Sequence, residues 1–144
     1  MKRSLFAIFL ISLSAAAVAQ MSPAGTWHTY GEKTKELKSE IVISETGGVL
    51  VGRISKLLRK NAKLDAVCDE CTDDRKDKPV VGLEIIRGAK KADDKEVWEG
   101  GKILDPENGK TYSLRLTPIE GGSKLEVRGS IGPFGRTQTW VRVK

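Results

Sequence analysis

The chain has two cysteines, Cys68 and Cys71, and a single histidine, His28. A Cys-x-x-Cys pair can exchange disulfides, bridge to itself, or supply two of the four ligands that zinc prefers. Thiol-redox chemistry usually sets the first cysteine at a helix N-terminus within an α/β frame, where the helix lowers its pKa. No such frame surrounds Cys68, and in an oxidising compartment an even pair bridges before it stays free. The expectation is a local disulfide staple. Closing so short a loop constrains the unfolded chain by only about 2 kcal/mol. Zinc would lack ligands, because His28 lies about 40 residues upstream. The carboxylates Asp65, Asp69, Glu70, Asp73 and Asp74 lack the spacing and the turn glycine of a calcium loop. With Asp77 they make six acids against the six cations Arg59, Lys60, Lys63, Arg75, Lys76 and Lys78, so the segment neutralises itself. No metal and no cofactor is expected.

Nucleophilic catalysis by Ser or Cys would have to draw its base from His28, which sits between Trp27 and Thr29 in an extended run. Asp105 and Glu107 fall in a Pro-Asn-Gly turn, where an Asp most simply accepts from the turn backbone. No catalytic residue is assigned, and a hydrolase ranks behind a binding protein. The other charge feature is basic: Lys124, Arg128, Arg136, Arg142 and Lys144 face one acid, Glu126, over the last 21 residues. Such a patch can meet an anionic envelope component, but it is also what a solvated strand face looks like. Nucleic acid is not an expected partner.

The elements that hold these residues read as strands. No window after the first 20 residues carries a helical apolar stripe, whereas short alternating runs recur. They span Thr26 to Tyr30, Ser39 to Glu45, Val49 to Leu58, Val80 to Arg87, Val97 to Leu104, Thr111 to Ile119, Lys124 to Ile131 and Arg136 to Val143. Turn sequences such as Glu45-Thr46-Gly47-Gly48, Glu120-Gly121-Gly122-Ser123 and Gly132-Pro133-Phe134-Gly135 join them as antiparallel neighbours. Eight such strands make an all-β meander, and closure into an up-and-down barrel removes its edges. Alternation places Tyr112, Leu114 and Leu116 on one face, and Leu125, Val127 and Ile131 on another, giving an aliphatic interior. In the last strand Thr137, Thr139, Val141 and Val143 oppose Arg136, Gln138, Trp140 and Arg142, so Trp140 is expected to point outward or cap an end.

The first 19 residues carry Lys2 and Arg3, an apolar run from Leu5 to Leu13, and Ala17-Val18-Ala19. That is the pattern of a secretory signal peptide, too short to span a bilayer. Cleavage before Gln20 would leave one domain over residues 20 to 144, exported to the periplasm or secreted, its formal charge falling from +6 to +4. No membrane span is expected.

Gly25-Thr26-Trp27 in the first strand with Trp140-Val141-Arg142 in the last resembles the lipocalin pattern, in which an early Trp closes one barrel end under a late Arg. Cys68-Asp69-Glu70-Cys71, Lys78-Pro79-Val80-Val81-Gly82-Leu83, the run from Trp98 to Tyr112, and Arg128-Gly129-Ser130-Ile131-Gly132 through Trp140 resemble the exported bacterial family known as domain of unknown function 2147. The resemblance implies a lipocalin-like barrel and an envelope location, with Trp27, Trp140 and Arg142 closing an end; it carries no activity. An eight-stranded barrel either fills itself or holds one small ligand. After loss of the leader only six aromatics remain, Trp27, Tyr30, Trp98, Tyr112, Phe134 and Trp140, which leaves room inside. The expected function is therefore binding of a small apolar or amphipathic ligand by Tyr112, Leu114, Leu116 and Val127, with Arg128 near a rim. The segment Arg59 to Lys78 is long enough for a lid. The alternative is a filled barrel acting through its surface as an envelope interaction module.

Overall fold

The computed structural model describes residues 21–143; the expected leader and Lys144 lie outside the described residues. Eight strands follow in order: β1 (Gly25–Tyr30), β2 (Leu37–Thr46), β3 (Val49–Leu57), β4 (Glu84–Lys91), β5 (Trp98–Asp105), β6 (Lys110–Ile119), β7 (Lys124–Ile131) and β8 (Phe134–Arg142). Each pairs antiparallel with the next and β8 returns to β1, closing the barrel. Among the described residues a short 3₁₀ turn at Glu120–Gly122 and an isolated bridge between Val67 and Pro79 complete the regular structure. Among the described residues no helix is long and apolar enough to cross a membrane.

One strand starts later than its sequence suggests. The run from Val80 begins as a bend and turn of the preceding connection, with the Leu83 amide donating to the Val80 carbonyl, and β4 begins at Glu84. Pro79 offers no donor to a ladder. The Val80 amide donates to Ala66, and Gly82 adopts a φ of 91°, turning the chain before it joins the sheet. Farther along, β4 and β5 come so close that a Cβ on Gly101 would lie 2.5 Å from the Arg87 carbonyl oxygen, so only glycine fits this crossing.

Side chains divide the interior into two halves. Toward one end Trp27, Leu50, Ile86, Leu116 and Leu125 are fully buried and pack the barrel solid. That end is sealed by Arg142, whose guanidinium lies 4.2 Å from the centroid of the Trp27 ring. The same guanidinium donates to the carbonyls of Gly122 at 2.6 Å, Ala24 at 2.8 Å and Ser22 at 2.6 Å. The Trp27 indole N–H donates to the Pro23 carbonyl at 2.8 Å. Burial lowers the pKa of the Arg142 guanidinium, which these carbonyls and the indole face accommodate.

Closure is uneven around the circumference. β7 and β8 pair from Lys124↔Val141 through to Ile131↔Phe134, whereas β1 and β8 share only Trp27↔Arg142 and His28↔Val141. Beyond that short seam the upper part of β8 has β7 on one side and side-chain contacts on the other. Arg136 and Gln138 donate to the two oxygens of Glu32, at 3.2 and 3.0 Å, from the β1–β2 connection.

Candidate functional site

The half of the barrel away from Arg142 is hollow, with a cavity of about 1060 Å³. Its deeper walls are apolar: Ile41, Ile54, Leu104, Val127 and Trp140 are buried there, with Ile103 beside them. Alternation makes this possible, since Ile41 on β2, Ile54 on β3 and Val127 on β7 each follow the inward parity of their strands. Polar groups inside are mutually satisfied. The Thr29 and Ser39 hydroxyls meet at 2.6 Å, and the Trp140 indole N–H donates to Gln138 Oε1 at 3.3 Å. The mouth is charged, with Lys38, Arg59, Lys63, Lys110 and Arg136 among its cations and Glu32, Asp69, Asp105 and Glu107 among its acids.

The connection from β3 to β4 runs along this mouth. Its first half, through Arg59, Lys63 and Val67, borders the opening and carries few anchors beyond the ion pair of Arg59 with Glu107 at 3.1 Å. Its second half is pinned. Cys68 and Cys71 form the disulfide and are both buried, and the Cys68 amide and carbonyl bond to Lys78 and Asp77. Gly109, with a φ of 72°, lets the β5–β6 turn touch the Glu70 carbonyl, where any Cβ would collide. Arg75 is buried, donating to the Glu84 carbonyl at 2.9 Å and to both Asp73 oxygens. The Arg75 guanidinium holds the Asp73 carboxyl down at about 2. Arg87 reaches across to both Asp74 oxygens at 2.9 Å. The opposite charges of this segment are thus partly spent tying it to the wall of the barrel.

The expected site residues separate into groups. Tyr112 and Val127 line the cavity. Leu114 and Leu116 are buried in the packed half and do not border it, and Arg128 faces outward, donating to Thr137 Oγ1 at 3.2 Å. Trp27 and Arg142 meet at the closed end. Trp140 does not join them and does not point outward: it is buried and forms part of the cavity wall. The inward face of β8 is the one with Arg136 and Gln138, because this part of the interior is open to water and needs no aliphatic filling. The residues missed by sequence reasoning, Ile41, Ile54, Gln138 and the Thr29–Ser39 pair, had alternation as their signal, but alternation does not say at which depth the packing stops.

His28 projects from the outer wall, with Nε2 3.1 Å from Glu40 Oε2, while Ser55 donates to Glu40 Oε1 at 3.0 Å. The carboxylate stands between imidazole and hydroxyl, and the His28 hydrogen bond, ahead of that from Ser55, lowers the pKa of Glu40. This is a hydrogen-bonded cluster of the outer wall, remote in parity from the cavity.

The model of a family described as an uncharacterized protein conserved in bacteria, DUF2147, matches residues 25–142. A solved structure described as protein HP1028 from the human pathogen Helicobacter pylori, belonging to the lipocalin family, shares the fold. It has a TM-score of 0.73 over 87% of this chain and 85% of that one, at 20% sequence identity. The barrel is lipocalin-like in that sense. No curated protein matches the chain.

Proposed function

The chain belongs to the bacterial family DUF2147, and from that membership together with its hollow half-barrel we propose that it binds a small amphipathic ligand in the bacterial envelope. The observation that carries this reading is the cavity of about 1060 Å³, apolar at depth and charged at the mouth. Small-molecule sites commonly occupy a few hundred to about 1,000 Å³ with mostly apolar lining and a few convergent polar groups. An apolar tail would lie against Ile41, Ile54, Val127 and Trp140, each methylene gaining about 0.8 kcal/mol by leaving water. A polar head would sit among Tyr112, Gln138 and the rim charges. The cavity supports this reading over a filled barrel that acts only through its surface.

Export is part of the proposal. The leader-like first 19 residues and the disulfide both fit an oxidising compartment. Material recovered from the envelope should begin at Gln20, as intact mass would read.

Native mass spectrometry of gently purified protein, followed by organic extraction, should reveal a co-purifying amphipath. Ile103→Trp, which places an indole against the cavity wall, should exclude it while the variant still melts cooperatively. An apo mass together with no uptake of apolar fluorophores by the wild-type protein would overturn the reading.

A further inference from the structure

We propose that the mouth of the barrel docks on an anionic phospholipid surface. This goes beyond ligand binding and holds whether or not the cavity is occupied. Three of the most exposed large apolar side chains in the described residues are Phe134 (80%), Leu64 (69%) and Ile131 (54%), and all three stand at the mouth. Phe134 and Ile131 face one another at the tip of the β7–β8 hairpin and line the cavity opening. Leu64 is flanked by Lys63, and Val67, 44% exposed, follows; both of these neighbours line the same opening from the β3–β4 connection. Two apolar prongs therefore border the entrance.

Charge is arranged to match. From Val127 to Val143 there is no acid, and Arg128 and Arg136 flank the hairpin tip. Lys60 and Lys63 accompany the other prong, with Asp65 as its nearest acid. Two acids at the mouth are already engaged, Glu32 by Arg136 and Gln138, and Glu107 by Lys38 and Arg59. Among the described residues the opposite end lacks such exposed cations beside apolar tips. Its connections, residues 45–48, 92–97 and 120–123, carry Glu45, Asp93, Asp94, Glu96 and Glu120 against Lys95, and Lys91 and Lys124 at the adjoining strand ends pair with Glu96 and Glu120. The exposed large apolar residue there is Val143, at 45%, against Phe134, Leu64, Ile131 and Val67 at the mouth. A negatively charged bilayer would favour the mouth over the closed end, and the aromatic and aliphatic tips would enter the headgroup layer. The cavity would then open toward lipid.

The test places a reporter at each end of protein recovered from the bacterial envelope. Phe134→Trp and Thr46→Trp are mixed with vesicles of phosphatidylcholine alone or of three parts phosphatidylcholine to one part phosphatidylglycerol, with brominated acyl chains as quencher. The buried Trp27, Trp98 and Trp140 contribute the same background to both. Fluorescence from Trp at position 134 should shift to the blue and be quenched on the anionic vesicles only, while Trp at position 46 stays unchanged. Serine at Lys60, Lys63 and Arg128 together should weaken binding about fivefold per cation lost, and Phe134→Ser should remove the quenching-competent prong, seen as loss of vesicle co-sedimentation. Absence of quenching at position 134, or equal quenching at positions 134 and 46, would overturn the proposal.

Discussion

At the closed end of the barrel one guanidinium covers an indole and gathers three carbonyls, and the side chains beneath it leave no space. At the mouth the same strands splay around a cavity, and exposed side chains pair across the gap. Both ends lie on continuous strands such as β7, where Leu125 packs the solid half and Val127 lines the hollow one, two residues apart. The lesson is that stability and binding capacity are segregated along the barrel axis. Substitutions should therefore cost stability at one end and alter binding at the other.

The largest expected effect tests that division directly. Trp27→Ala removes a fully buried indole and the platform under Arg142, and should lower unfolding free energy by about 4 kcal/mol. Phe134→Ala, at an exposed hairpin tip, should change it by less than about 0.5 kcal/mol. Urea denaturation of both would measure the contrast, and equal losses would dissolve it.

Much of this contrast was legible in the residues. Turn chemistry and period-two runs placed all eight strands, and the pairing of an early Trp with a late Arg pointed to the clasp that Trp27 and Arg142 form. The hollow half was less legible. In β8 alternation separated Trp140 from Thr139 and Val141 correctly, but the choice of inward face followed aliphatic content, and here the inward face carries Arg136 and Gln138 because water reaches it. In β7 alternation sets Arg128 and Val127 on opposite faces, and the structure keeps that parity, so Arg128 does not reach the cavity that Val127 lines. The late start of β4 came from Val80 and Leu83, which are buried by the connection rather than by the sheet. Local pattern records which residues are buried, not which element buries them.

Arg142→Lys sharpens the comparison within the closed end. A lysine keeps the charge but loses the planar fork that reaches Gly122, Ala24 and Ser22 and lies over the Trp27 ring. A loss of about 2 kcal/mol is expected by denaturation, with ligand or dye uptake at the far end unchanged. A Lys variant as stable as wild type would show that charge alone closes the barrel.

Between the two ends lies the pinned part of the β3–β4 connection, and pH probes it. The folded Asp73 carboxyl titrates at about 2, below its ordinary value of 3.8, chiefly through hydrogen bonding from Arg75. A depressed carboxylate pKa contributes stability that is present above the ordinary value and is lost as pH falls from about 3.8 toward 2. Asp73 is partly exposed, so solvent screening limits the contribution to about 1 kcal/mol. Asp73→Asn should remove that loss from the acid limb of a stability profile and, at neutral pH, increase exchange of the Asp77 and Lys78 amides.

A small effect on stability is expected at Glu32, also at the mouth. This carboxylate is the side-chain link from the β1–β2 connection to the upper part of β8, where the β1–β8 ladder has already ended at His28↔Val141. The Arg136–Glu32 pair is largely exposed, and such pairs contribute at most about 1 kcal/mol. Glu32→Ala should therefore change the urea midpoint little. It should, however, free the edge of β8 from Phe134 to Gln138, which then depends on β7 alone. Hydrogen exchange should rise along that stretch by a clear factor while the amides of Trp140 and Arg142 keep their protection, because the Arg142 clasp is untouched. Faster exchange confined to the upper edge would mark Glu32 as the latch of a side opening into the cavity; faster exchange at Arg142 as well would mean that the two ends are coupled and that the segregation along the axis fails.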